Sequence, residues 1–392
     1  MGNLEFRSLV HTQWFAHESC HRYKFLALSC AIYLFLPPLI ASRHILPQME
    51  SSVQIKDKNE YQPKINSIRK VIYAEDKRIR EKYSFLEHQN TIGMIIFTST
   101  LLSMILTSYL YISGFLVWYL TIPLMAIFIS FLHELEHDLI HDLYFKEMKF
   151  IQNIMLAFIW VSKINANPWW RKAMHLKHHK TSGQMDDIEE RLIGLGLPLG
   201  LKRFLITISP LGSYLVIYSV AQDSKKMNSL PGVDLLRASI VNLPVLLPGN
   251  LCLLAILFPE YVSSTFYMIA WNICMLLYFP NTLRQSSLQW VSTGCHYFGD
   301  IPRNNVFFQN QVLNHWIFYP FQLFCFNFGA THIIHHYVTR QPFYLRQLVA
   351  AGVLDEFKKQ GVRFNDLQIY QRAHRYYDSL VENNPPPLSI GA

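Results

Sequence analysis

The feature that most constrains this chain is residues 91–132, a run of 42 residues without one Asp, Glu, Lys or Arg. As helix, at about 1.5 Å per residue, it would extend roughly 63 Å, enough for two crossings of a ~30 Å hydrocarbon layer. Ser113-Gly114, near its middle, supplies a turn. Two further charge-free runs, residues 238–259 and 261–283, flank Glu260. Runs this long are rare in water-soluble folds, whose helices keep a polar face. The pattern predicts an all-α, polytopic integral membrane protein with about four core transmembrane helices in two hairpins.

Composition excludes other classes. Charged residues make up 16% of the 392, against a usual figure of about 25%. That is too few for a disordered chain or a nucleic-acid binder, so no nucleic-acid partner is expected. Residues 25–42 could form an extra span, broken by Pro37-Pro38; residues 151–162 are too short to cross and suit the interface; residues 204–222, with Pro210 and Gly212, suit a segment that dips in without crossing. The first apolar run starts late and has no small-residue cleavage pattern after it, so no cleavable signal peptide is expected. Arg69, Lys70, Lys77, Arg78, Arg80 and Lys82 precede the first hairpin. Lys and Arg concentrate in cytoplasmic loops, which places that segment and, because a hairpin returns to its starting side, His133 onward in the cytosol. The six cysteines form no CxxC pair and read as small hydrophobes in a reducing compartment. The Asn- and Pro-rich tail at 383–387 reads as a disordered end. The expected division is residues 1–90, an N-terminal region with a basic cytosolic loop; 91–345, the catalytic membrane domain; and 346–392, a cytosolic tail.

Histidine carries the chemical signal. His133 and His137 stand four apart at the end of the first hairpin, with His141 four further on; His175, His178 and His179 form one HxxHH cluster; His332, His335 and His336 form another. Positions i and i+3 or i+4 share a helix face, so each cluster can converge on a metal, while adjacent histidines diverge by about 100° and can serve two. After eight residues the face has drifted about 80°, which makes His141 a weaker candidate than the other box histidines. Eight box histidines exceed what one ion takes, so a dinuclear site is implied, and nitrogen ligation suits Fe, Zn, Cu or Ni. His315, in Asn314-His315-Trp316, reads as a packed residue. Metal-bound imidazoles usually donate their second N–H to a carboxylate or carbonyl, which makes Glu134, Glu136, Asp138, Asp142, Asp186 and Asp187 candidate partners. Trp169-Trp170-Arg171-Lys172 fits an interfacial anchor or a site for a substrate headgroup, and Arg340 and Arg346 could hold a headgroup too. Two rivals remain at this level. His133-Glu134-Leu135-Glu136-His137 also reads as the HExxH zinc-protease motif, and a metal transporter would carry histidines as well.

The three clusters resemble the boxes HxxxH, HxxHH and HxxHH of the integral-membrane fatty acid desaturase and hydroxylase superfamily, over residues 91–345. His133 and His137 look like the first box. The segment Trp290-Val291-Ser292-Thr293-Gly294-Cys295-His296-Tyr297-Phe298-Gly299 is similar to the one that carries a further ligand in acyl-CoA desaturases, and the resemblance makes His296 that ligand. Where those enzymes have an Asn that completes one metal's shell through water, this chain has Ser292. The resemblance implies a cytosolic di-iron cap held by about nine histidines, O2 as co-substrate, and a fatty acyl lipid or free fatty acid as substrate. It also implies an external electron donor of the ferredoxin, rubredoxin or cytochrome b5 type, in a setting of membrane lipid. Desaturation is the commonest outcome in the superfamily; hydroxylation and decarboxylation to a terminal alkene are the others.

Overall fold

The computed structural model describes residues 58–184, 186–194, 201–208, 233–298 and 301–370, with helical positions 216–218, 220–222 and 225. The expected extra span at 25–42, the Pro-rich tail, Cys20, Cys30 and, within 204–222, residues 209–215 and 219 lie outside the described residues. Among those residues every regular element is a helix, with two isolated bridges, His296 to Asn310 and Val312 to Phe364.

Helix α1, Lys58–Lys82, is followed by α2, Gln89–Ile112, and α3, Trp118–Ile140. The turn between α2 and α3 uses Gly114 at φ 78°, a left-handed conformation that glycine adopts freely. Helix α4, Lys149–Lys163, has Phe150, Phe158 and Val161 exposed on one side and Met155, Leu156 and Ile159 buried on the other, the two-faced pattern of an interfacial helix. Asn167 caps α5, Pro168–Thr181: its side chain accepts from the Trp170 N–H, and Pro168 occupies the first turn, where a missing N–H costs nothing. Short helices α6, Ile188–Gly194, and α7, Leu201–Ile208, lead to α8, Leu235–Leu257, capped by Asp234. Helix α9, Ser264–Ile273, continues through a π turn at Cys274–Tyr278 into α10, Phe279–Cys295. Helices α11, Phe328–Tyr337, and α12, Phe343–Gln360, follow.

Among the described residues three helices, α2, α3 and α8, are long and apolar enough to cross a membrane. The outward sides of α2 (Ile95, Leu102, Ile105, Leu106, Tyr109) and α8 (Leu236, Ile240, Leu243, Leu247, Leu251, Leu254) are apolar. In water these would form patches far larger than a soluble surface carries, and lipid is their natural solvent. The run expected as a fourth crossing, residues 261–283, is divided among α9, the π turn and the start of α10. π turns interrupt helices mostly at functional sites. This one precedes the helix that carries Arg284, Ser292 and, just past its end, His296. α3 packs on α2, α4, α5 and α10 and so forms the centre of the molecule. From His133 to Ile140 every residue of α3 is buried.

The cap is closed by a pairing of distant segments. Ile65, Ile68, Ile72 and Ile79 of α1 join Leu345, Val349, Val353 and Phe357 of α12 in one core. The expected boundary at residue 345 falls inside α12.

Candidate metal centre

Two groups of histidines, all buried except the half-buried His141 and His179, face each other at the cap end of α3. One comprises His137, His141, His175, His179 and His335, the other His178, His296, His332 and His336, with the donor atoms of each group within 4.8 Å of one another. Helix ends place them. α3 stops at Ile140, which leaves His141 as its last capping residue, and Asp142 then turns the chain at φ 55°. α5 presents His175 and His179 on one face and His178 between them. α11, entered through the left-handed pair Phe326-Asn327, presents His335 to the first group and His332 and His336 to the second.

The spacing of the nitrogens tests what these groups can hold. In the five-histidine group, His141 Nε2 is 2.9 Å from His175 Nε2 and 3.1 Å from His335 Nε2, and His179 Nε2 is 2.9 Å from His335 Nε2 and 3.2 Å from His175 Nε2. In the other, His332 Nε2 is 3.1 Å from His296 Nε2 and 3.0 Å from His336 Nε2. A neutral imidazole has one N–H, so such rings of nitrogen cannot all be hydrogen bonded to each other. Nitrogens about 2.1 Å from a common ion and at right angles would sit about 3 Å apart. Both His137 ring nitrogens, moreover, are buried without a hydrogen-bond partner, a costly state that an ion would relieve. The donor sets fit two metal ions.

The structure brings nine of the ten predicted ligands into these groups, His141 and His296 among them. His133 is in neither. Its Nδ1 lies 3.0 Å from Lys163 Nζ, one helical turn further into the bundle, where Lys163 also pairs with Glu136. Of the repeat His133, His137 and His141 it is His137 and His141 that share a group, one turn later than the His133–His137 pair that the sequence reading favoured over His141. Both pairs are four apart, and only the position at which α3 ends separates them.

Carboxylates orient the rings. Asp187 Oδ2 accepts from His178 Nδ1 at 2.7 Å, and Glu189 Oε2 accepts from His175 Nδ1 at 2.7 Å. Asp187 is reached because Gly183, at φ 76°, turns the chain after α5 and donates its N–H to the same carboxylate. His296 Nδ1 donates to the Ser292 backbone carbonyl at 2.8 Å, so the backbone of Ser292 supports this ring, with its hydroxyl 3.3 Å away. Other expected partners do different work. Asp186 pairs with Arg303 near the surface, and Asp142 ties Lys149 to Lys172. Arg171 is spent on Glu136 and Glu189, and Arg346 bridges Glu134 and Asp138. Trp170 is half-buried beside its cap, Arg340 is exposed, and His315 caps a short turn at 316–318. Glu189 escaped the sequence reading. Its only signal was membership of the acidic run Asp186-Asp187-Ile188-Glu189-Glu190.

A cavity touches both groups: His137 and His175 of the first and His178, His296 and His332 of the second line it together with Ile193, Leu288, Phe328, His133, Glu134 and Arg171. Burial pushes the imidazoles of His175, His179, His332, His335 and His336 well below the usual histidine range, and His141 down to about 2, so their lone pairs stay available to metal. His178 is the exception. Burial lowers it too, but the Asp187 carboxylate outweighs this and raises it to about 9. At pH 7 a metal entering the four-histidine group must displace that proton. Raising the pH removes the competitor, so affinity at this group is expected to rise by up to tenfold per pH unit from 7 towards 9 and then level off. Competition titrations with a chromophoric chelator would show it; a flat profile across that window would contradict the assignment of His178.

With this geometry in view, the sequence comparisons become decisive. The model of the family described as fatty acid desaturase matches residues 112–368. The chain belongs to this family. Membership implies an oxidoreductase that works on fatty acyl chains with electrons from a donor, and the matched residues contain all nine clustered histidines and extend into α12. No curated protein matches the chain. Among the described residues His133 joins neither group of candidate ligands, and Glu134, the general base of a zinc-protease reading, is held by Arg346.

Proposed function

We propose that this desaturase-family protein is a di-iron, O2-dependent desaturase of a fatty acid or lipid, with its metal centre on the cytosolic side. The observation that carries the reading is the division of nine histidines, seven buried and two half-buried, into a group of five and a group of four at the mouth of a lipid-facing helical bundle. Two irons held there would supply the oxidising power for an unactivated C–H bond, which no protein acid or base possesses.

The chain's own residues supply the rest. Leu288, Phe328 and Ile193 offer the apolar wall against which a methylene segment would lie. The Phe328 ring, stacked 3.9 Å from that of His332, fixes both the wall and the ligand. Asp187 and Glu189 hold the N–H groups of His178 and His175 and so fix which nitrogen faces the metal. Basic residues on α1, among them Lys70, Lys77 and Lys82, suit an acidic electron donor of the ferredoxin, rubredoxin or cytochrome b5 type.

The test is expression with such a donor, followed by metal analysis and mass spectrometry of lipids and headspace. About two Fe per chain and a fatty acyl product lighter by two hydrogens are expected. A product that has gained oxygen, or a volatile alkene, would replace desaturation by hydroxylation or decarboxylation. An unchanged profile with iron and donor present would overturn the reading.

A further inference from the structure

Arg284 closes the charge-free run 261–283 and is the largest fully buried side chain of the described residues, 1% exposed. Its Nη2 donates to Gln285 Oε1 at 2.8 Å. Its Nε and Nη1, with three N–H groups between them, have no hydrogen-bond partner. The guanidinium is within electrostatic reach of Lys163, Arg171 and His133, and of the carboxylates of Glu136 and Glu134. Those carboxylates are already engaged. Glu136 takes Lys163 on one oxygen and Arg171 on the other, and Glu134 takes Arg346. Arg171 and Arg346 each reach a second carboxylate as well, Glu189 and Asp138, so of these four buried cations Arg284 alone has no ion pair among the described residues, and an unpaired buried charge persists only where something compensates it. Leu288 and Ser292, one and two turns further along α10, line the cavity beside the metal groups.

We propose that Arg284 is an anion subsite that receives the carboxylate of an unesterified fatty acid. The inference rests on the fatty acyl oxidase reading and narrows its substrate class to the free acid. A guanidinium matches a carboxylate in charge and in donor geometry. A thioester or glycerolipid ester brings no charge to this position, and its bulky headgroup has no place beside a side chain that is 1% exposed. The acyl chain would then share the cavity with Leu288 and Phe328.

The test uses the full chain in detergent, loaded with metal, and compares binding of radiolabelled decanoate with that of methyl decanoate by equilibrium dialysis. The wild type is expected to prefer the acid by at least about tenfold, because a site built around a charged donor rejects a ligand lacking its partner. Arg284→Met should abolish that preference while metal content stays unchanged, and Arg284→Lys should retain part of it. Equal binding of acid and ester by the wild type, or an undiminished preference in Arg284→Met, would overturn the subsite. Should Arg284→Met not fold, the wild-type comparison decides alone. Turnover with an electron donor judges the underlying reading separately. A wild type that oxidises acyl chains without preferring the acid sinks the subsite alone. One that prefers the acid but oxidises no acyl chain sinks the oxidase reading and leaves the subsite standing.

Discussion

His141→Ala is expected to empty the five-histidine group and abolish turnover, whereas His133→Ala is expected to leave two metals in place. The argument is geometric. His141 Nε2 lies 2.9 Å from His175 Nε2 and 3.1 Å from His335 Nε2, so it shares a centre with both. His133 shares none and is engaged by Lys163. Changes to groups that merely support a ligand cost about 10–100-fold in metal affinity or activity. Removing a ligand from the oxidising centre should exceed that and take activity below detection. In His133→Ala the lost contact is one hydrogen bond from Lys163, which still has Glu136, so the fold should hold. Metal analysis of both purified variants reads the difference directly. Two metals in His141→Ala with one in His133→Ala would restore the earlier spacing of the first box and refute the grouping described above.

That contrast shows where the sequence stopped being legible. HxxHH reads clearly because three nitrogens on one helical turn suit few purposes besides metal, and the two such boxes here occupy the expected places. The first box is ambiguous for a physical reason. His133, His137 and His141 repeat every four residues on one α3 face, so periodicity alone allows either pair. The choice depends on where α3 stops relative to α5 and α11, a tertiary fact. Gly294-Cys295-His296 carried no spacing signal, and only the resemblance to acyl-CoA desaturases pointed to His296.

The membrane helices were legible for a different reason: lipid demands length without charge, and α2, α3 and α8 meet that demand locally. The π turn at 274–278, which packs against α3 and α8, was not. Nor was the contact of α1 with α12. The stripe Ile65, Ile68, Ile72 and Ile79 announces an amphipathic helix, but its partner lies nearly 300 residues away, as the hydrogen bond of Ser67 to Glu356 illustrates. Buried charge was the least legible of all. In the sequence Arg171 suits an interfacial anchor or a headgroup ligand, and Arg346 could hold a headgroup too. The structure shows them consumed by Glu136, Glu189, Glu134 and Asp138.

Arg346→Met is accordingly expected to destabilise the whole protein, by about 3–5 kcal/mol, the cost of stranding a buried charge. Arg346 is 3% exposed, and its Nη2 sits 3.2 Å from Glu134 Oε2 and 3.2 Å from Asp138 Oδ1. It thereby bolts α12 to the buried end of α3, beside His137. The two carboxylates would not suffer equally. Asp138 keeps the Tyr144 hydroxyl and the Phe343 N–H, both at 2.9 Å. Glu134 has no other hydrogen bond or ion pair among the described residues, so most of the cost should fall on it. Arg346→Met combined with Glu134→Gln should therefore recover more than half of the loss, and Arg346→Met combined with Asp138→Asn much less. Unfolding midpoints of the three variants in one detergent provide the comparison. Equal recovery in both double variants would mean that the arginine acts through its packing and not through its charge, and a midpoint unchanged in Arg346→Met would mean that the buried bridge does not hold the cap to the bundle at all.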